Sequence, residues 1–274
     1  MTNNNQQSII TLTRITRDLK YLGLQPGDLI MLHSSVKAIG WVVGGPDTVL
    51  QAILNLLGEK GTLMMLAGWE DNPYHLPEWP EEKQTAYLEE CPPFDPVTSR
   101  ANRNWSILNE YLRTRPGAQR SSHPEGSFVA AGYLARHITE NQSWQYGYGT
   151  SSPLAKLCEG SGKVLLLGAP LNTITLLHYA EFLTNIPDKR IVKYKMPVLQ
   201  NRQRVWVELE EFDTSRGIID WPGEDYFGII GKEYIKSGKG TSGKVGGAQS
   251  YLFDAKDLVN FAVQWMEQNF NGIK

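Results

Sequence analysis

The chain has 274 residues, 41% apolar and 20% charged, with a formal net charge of −2, a composition that suits a globular protein with a sizeable core. That balance argues against a nucleic-acid partner, which calls for strong basic patches. The two cysteines, Cys91 and Cys158, lack metal-ligand spacing and read as reduced thiols. No apolar run reaches the ~18 residues of a membrane span. Met1 to Gln7 lack the basic-then-apolar order of a signal peptide, so the expectation is a cytoplasmic protein without membrane contact.

The elements are read in chain order. Ile9, Leu12, Ile15, Leu19 and Leu22 form a helical stripe that Gly23 stops. Leu29 to Leu32 reads as a buried strand running into His33-Ser34-Ser35. Gly44-Gly45-Pro46-Asp47 opens a second helix, which Gly58 ends, and Thr62 to Ala67 is another buried strand. From Gly68 to Asn104 the chain turns rich in Trp, Pro, Glu and Asp without periodicity, which predicts an ordered insertion lining a pocket. Trp105 to Arg113 reads as a helix. Ser152-Pro153 supplies an N-cap and first-turn proline for a helix to Glu159. Lys163 to Gly168 is a strand, Thr173 to Leu183 a helix, and Ile191 to Phe212 two strands around an Asn201-Arg202 turn. Gly238 to Gly247 reads as a mobile surface loop, and Asp254 caps a last helix bearing Leu258, Phe261, Ala262 and Trp265. The alternation predicts an α/β fold with a mixed sheet flanked by helices, as one domain over 1–274 with its insertion at about 68–104.

Ligands collect at the carboxyl ends of parallel strands, where helix starts offer backbone N–H groups to anions. His33, Ser34 and Ser35 stand at one such end and Asn172 and Thr173 near another, although serines and glycines serve ordinary turns as readily. His178 interrupts an apolar stretch, and Glu181 falls three residues later on nearly the same helical face. The pair is either a base with its orienting carboxylate or a core histidine satisfied by a neighbour. His33, His123 and His178 share no short ligand spacing, so the metal signal is weak. Carboxylates interleaved with aromatics, among them Trp69, Glu70, Asp71 and Tyr74, would suit a polycationic sugar. Asp213 and Asp225 belong to a second acidic set.

Several segments in order resemble the aminoglycoside 3-N-acetyltransferases: MLHSSVKAIGWVVGGPDT, GTLMMLAGWEDNPYH, ECPPFDPVTSR, RTRPGAQRSSHPEGSF, YGTSSPLAKL, KVLLLGAPLNTITLLHYAE and GGAQSYLFDAKDLVNFAVQW. The resemblance runs from about Gly27 to Phe270. It implies an antibiotic N-acetyltransferase fold distinct from the GNAT acetyltransferases. It also implies acetyl-coenzyme A as co-substrate without a metal, and acetylation of the 3-amine of 2-deoxystreptamine, which gives antibiotic resistance. It assigns His178 as base and Glu181 as its partner. Thr175, or backbone N–H groups near Thr173, would stabilise an oxyanion. The family's coenzyme segments match His33, Ser34, Ser35, Val36, Lys37, Ser122, His123, Ser151, Ser152, Asn172 and Thr173. Relatives often carry aspartate at the place of Asn172. The antibiotic is expected against Glu70, Asp71, Asp213 and Asp225, with Trp69 and Tyr74 as walls. Rival readings are an acetyltransferase for another amine and a non-catalytic coenzyme-A-binding protein. The assembly is expected to be a monomer or homodimer.

Overall fold

The computed structural model describes residues 9–270, so Met1 to Gln7, read above for a leader, lie outside the described residues. The first half of the chain forms α1 (Leu12–Leu22), β1 (Leu29–Ser34), α2 (Val36–Ile39), α3 (Gly45–Leu57), β2 (Thr62–Leu66), α4 (Glu81–Glu90), α5 (Ile107–Arg113), β3 (Gln119–Arg120), β4 (Phe128–Gly132) and α6 (Ala135–Thr139). The second half forms α7 (Pro153–Glu159), β5 (Lys163–Leu167), α8 (Leu177–Leu183), β6 (Ile191–Gln200), β7 (Gln203–Phe212), α9 (Tyr226–Lys236), β8 (Thr241–Val245), β9 (Ala248–Asp254) and α10 (Ala255–Phe270).

Seven strands form one mixed sheet in the order β3-β4-β2-β1-β5-β9-β8. β1 runs parallel to both β2 and β5, and the outer pairings are antiparallel. Successive strand side chains point to opposite faces. Leu29, Met31, Val164 and Leu166 therefore pack against α6 to α10, while Ile30, Leu32, Leu165 and Leu167 pack against α1, α3 and α5. Both faces of the central strands are covered, which explains their unbroken apolar runs. Each such side chain fully buried contributes roughly 1.5–3 kcal/mol.

Local signals set the element ends. Thr11 Oγ1 accepts from Arg14 N at 3.3 Å to cap α1, and Gly23 ends it at φ 110°. Ile9 lies outside that helix and is exposed. Ser152 Oγ accepts from Ala155 N at 3.1 Å to start α7. Asn201 and Arg202 turn the β6-β7 ribbon at φ 50° and 64°, both left-handed, as a two-residue hairpin requires.

Two expectations are corrected. Thr173 to Leu183 is not one helix: a 3-10 turn covers Leu171–Thr173, Ile174 leaves helical geometry at ψ 84°, and α8 begins at Leu177. Gly238 to Gly247 is not simply a surface loop, because Thr241–Val245 is β8, paired with β9 from Thr241↔Leu252 to Val245↔Ala248.

The insertion contains α4 and is fastened to the β6-β7 ribbon. Phe94 N donates to Pro197 O and Leu199 N to Phe94 O, both at 2.8 Å. Arg204 donates to the carbonyls of Cys91 and Glu89 at 2.7 and 2.8 Å. Trp69, Phe94 and Val198 form a small buried cluster at this junction. No helix of the described residues is long and apolar enough to cross a membrane.

Candidate active site

The site is built where β5 hands over to α8. Gly168 sits at φ 69°, and a Cβ there would come within 2.8 Å of Ala38 and 2.9 Å of Ala248, so only glycine makes the turn. Residues 171–178 then cross the carboxyl ends of the parallel strands and bring Asn172, Thr173, Thr175 and His178 beside His33 of β1.

His178 Nδ1 lies 2.7 Å from Glu181 Oε2, the contact that their three-residue separation on α8 allows. The other Glu181 oxygen accepts from the Tyr226 hydroxyl, which in turn accepts from Ile218 N at 3.3 Å. The imidazole is flanked by Tyr148 and Phe227, with ring centres at 5.2 and 4.8 Å. A carboxylate on Nδ1 keeps the proton there, so the lone pair of the neutral ring sits on Nε2.

Two further buried carboxylates, Glu125 and Glu211, act on this ring. Burial alone would lower the His178 pKa. The charge and hydrogen bond of Glu181, with Glu211 and Glu125 behind them, outweigh it and hold the pKa above the usual 6.5. Glu211 is pushed up to about 7, chiefly by burial, against the hydrogen bond it accepts from Phe212 N. Burial likewise raises Glu125, which accepts from the Tyr148 hydroxyl at 3.3 Å.

His178 stands in the wall between two cavities. The first, about 340 Å³, includes His33, Trp105, Glu125, Tyr148 and Thr175 in its lining. The second, about 390 Å³, includes Glu181, Arg216, Trp221, Glu224 and Asp225. Asn172, His178, Thr214 and Phe227 line both. Each volume is of the order of a small-molecule site.

Of the residues expected to hold coenzyme, His33, Asn172, Thr173 and Thr175 line the first cavity. Ser34 Oγ is engaged with Ser106 Oγ at 2.8 Å. Ser35, Val36 and Lys37 form the start of α2, where Ser35 makes no side-chain cap bond and Lys37 is exposed. Ser122 and Ser151 are exposed and Ser152 is occupied as the α7 cap. His123 is fully buried, its Nδ1 accepting from Gly126 N at 2.8 Å and its pKa lowered by burial to about 4. None of Ser122, His123, Ser151 and Ser152 lines either cavity.

Of the residues expected to hold the antibiotic, Asp225 lines the second cavity while its Oδ1 accepts from Phe227 N at 2.8 Å to cap α9. Asp213 is buried and shapes the loop beside that cavity, accepting from Ser215 N and Arg216 N at 2.9 Å. Tyr74 meets Tyr194 edge-on at 4.9 Å. Trp69, 2% exposed, packs on Phe94 instead of lining either cavity. Glu70 is tied to Arg103 at 2.7 Å, and Asp71 is exposed, and neither lines a cavity. Among the described residues no group of three or more His, Cys, Asp or Glu is placed to hold a metal ion.

The sequence reading missed Glu125, Tyr148, Glu211 and Tyr226. Each reaches the site through tertiary structure; Glu211 belongs to the second acidic set, and Glu125 and Tyr148 lie within RTRPGAQRSSHPEGSF and YGTSSPLAKL, but none was given a role.

Fold and site together define an α/β protein with a carboxylate-oriented histidine between two ligand-sized cavities, an arrangement suited to acyl transfer between two bound molecules. A sequence model described as aminoglycoside 3-N-acetyltransferase matches residues 31–267, and the chain belongs to that family. It is 50% identical to aminoglycoside N(3)-acetyltransferase III of Pseudomonas aeruginosa over 91% of this chain and 90% of that one. It is 46% identical to aminoglycoside N(3)-acetyltransferase VII of Streptomyces paromomycinus, over 94% and 92% respectively. Among solved structures, aminoglycoside acetyltransferase AAC(3)-Xa superposes with a TM-score of 0.92 at 43% identity, covering 95% and 94% of the two chains. The AAC-IIIb binary complex with CoASH superposes at 0.88 with 44% identity, covering 95% and 97%.

Proposed function

We propose that this protein transfers an acetyl group from acetyl-coenzyme A to the 3-amine of the 2-deoxystreptamine ring of aminoglycoside antibiotics, with His178 as general base. The observation that carries the reading is the 2.7 Å contact of His178 Nδ1 with Glu181, in a residue that lines both cavities. The names of the relatives, the coenzyme in the AAC-IIIb complex and the sisomicin bound to the similar AAC-VIa support the choice of substrates. The acyl donor is assigned to the first cavity, with His33, Thr173 and Thr175, and the antibiotic to the second, with Asp225, its reacting amine reaching past His178 into the first.

An amine reaches the site as an ammonium and cannot attack in that form. His178 Nε2 takes one of its protons. The nitrogen lone pair then forms the N–C bond to the acetyl carbon, and the carbonyl electrons move onto oxygen. Thr175 Oγ1 or a backbone N–H near Thr173 is assigned to that oxyanion, where one donor is typically worth about 3 kcal/mol. Collapse breaks the C–S bond, its electron pair goes to sulfur, and the thiolate takes the proton from His178. The nitrogen's remaining surplus proton leaves to water. Base assistance of this kind contributes about 10²–10⁴-fold.

Thiol release from acetyl-coenzyme A with a panel of aminoglycosides, followed by location of the acetylated nitrogen by NMR, tests the proposal. Release dependent on antibiotic with acetylation at the 3-amine supports it. No release with any aminoglycoside, or acetylation elsewhere, overturns it.

A further inference from the structure

Three buried carboxylates act on His178, and they differ in what their oxygens do. Glu181 has both engaged, one by His178 Nδ1 and one by the Tyr226 hydroxyl. Glu211 has both engaged by backbone N–H groups, those of Phe212 at 2.9 Å and Tyr148 at 3.4 Å. Glu125 has one oxygen, Oε2, facing the Tyr148 hydroxyl at 3.3 Å. Among the described residues its Oε1 accepts no hydrogen bond, and no lysine or arginine pairs with the carboxylate.

Its surroundings place the carboxylate beside the chemistry. Glu125 is 8% exposed, and what it exposes lines the first cavity together with His178. Tyr148 connects the two, its ring 5.2 Å from the imidazole and its hydroxyl on the carboxylate. The 123–127 loop is held firmly: Gly126 N donates to His123 Nδ1, Phe128 N to Ser121 Oγ at 2.8 Å, and Gln142 Nε2 to Gly126 O at 3.0 Å. Gly126 leaves no room for a side chain, since a Cβ there would sit 2.6 Å from the Tyr148 hydroxyl oxygen. A buried carboxylate without a cation is costly unless a ligand supplies one.

Resting on the acetyltransferase reading, we propose that Glu125 binds the ammonium that is to be acetylated, holding it against His178 Nε2 and making a positive charge at the acceptor nitrogen a condition of binding. The ammonium supplies the missing cation, and conversion to a neutral acetamide removes it. Glu125 thus favours substrate over product and assists product release. Among the described residues the cation that acts on Glu125 is His178 itself when protonated, so a purely electrostatic effect on the imidazole is the alternative that the test must separate.

The test measures binding of an aminoglycoside and of its 3-N-acetylated product, by calorimetry, to the wild type and to Glu125→Gln. The amide keeps the shape and a partner for Tyr148, and thermal unfolding of both proteins checks the fold. The expected result is a loss of about 10- to 100-fold in substrate affinity, the worth of a charge-assisted hydrogen bond, with product affinity unchanged. Glu125→Asp, which keeps the charge, should recover part of that loss. Equal loss for substrate and product would overturn the proposal, as would no loss for either. So would a shifted pH profile with substrate-product discrimination intact, which would mark Glu125 as a counter-ion to the imidazolium. A wild type that binds substrate yet releases no thiol would instead refute the underlying acetyltransferase reading.

Discussion

Replacing Glu181 by Gln exchanges one oxygen of a buried carboxylate for an NH₂ group, and the structure dictates which one. The Tyr226 oxygen already accepts Ile218 N–H, so its hydroxyl proton is directed at position 181 and needs an acceptor there. The amide oxygen must therefore face Tyr226 and the NH₂ must face His178 Nδ1. A donor on Nδ1 forces the imidazole proton onto Nε2, the nitrogen needed as base. The predicted loss in kcat is the general-base contribution, about 10²–10⁴-fold. KM for acetyl-coenzyme A should change little. The acid limb of residual activity should also move. In the wild type, kcat falls as pH drops through a His178 pKa held above 6.5. Without the carboxylate's charge and hydrogen bond, burial is less opposed and the limb moves to lower pH. Adding Tyr226→Phe to Glu181→Gln frees the amide to rotate and should restore part of the rate, although Tyr226→Phe alone should impair the enzyme. Stopped-flow thiol release gives the rates, and ¹⁵N NMR of His178 reads the tautomer. A Glu181→Gln enzyme within threefold of wild type, or one whose imidazole still carries its proton on Nδ1, would refute the reasoning.

Three further outcomes are expected. Between pH 4.5 and 7 the wild type should lose thermal stability relative to Glu211→Gln, whose side chain does not titrate. Glu211 has a folded pKa raised above its unfolded value, so the stability it contributes is complete below the unfolded pKa and is lost as pH rises through the folded one. The rise from 4.5 to about 7 corresponds to roughly 3 kcal/mol, and a difference in unfolding temperature between the two proteins that stays flat across that interval would contradict the assignment. Asp225→Asn keeps the α9 cap, since asparagine caps as well as aspartate, but removes a charge from the second cavity. It should raise the antibiotic KM by about tenfold, the equivalent of ~1.4 kcal/mol, leave the coenzyme KM unchanged, and flatten the dependence on ionic strength. Gly217→Ala should destabilise the fold by at least about 1 kcal/mol, since the residue sits at φ 82° and its Cβ would lie 2.7 Å from the Tyr226 hydroxyl oxygen; an unfolding temperature equal to wild type would show that the loop yields.

What could be read from the sequence was local. The central strands announced themselves because burial on both faces demands unbroken apolar runs, as in Val164 to Leu167. The β6-β7 ribbon was legible from Asn201-Arg202, and the dyad from the three-residue step between His178 and Glu181. β8 was hidden because, as an edge strand, it is mostly exposed and carries glycine and lysine where a buried strand would carry valine or isoleucine. α4 was hidden because it has no buried residue and so no stripe. The extended helix over 173–183 failed because apolar spacing continues through Ile174, whose backbone is not helical. Glu125 and Tyr226 were illegible for another reason: Tyr226 meets Glu181 and Glu125 meets Tyr148 across long stretches of chain, and nothing in a local pattern reports such a meeting. In the acidic insertion, Glu70 is paired with Arg103 and Trp69 packs in a small cluster, partners that no local pattern announces.

The central claim is that His178 accepts the proton of the bound amine. The most direct measurement is single-turnover acetyl transfer by His178→Ala saturated with acetyl-coenzyme A and antibiotic, with coenzyme affinity determined on the same sample. A rate at least about 100-fold below wild type with coenzyme affinity unchanged is the predicted result. A rate within twofold of wild type would contradict it.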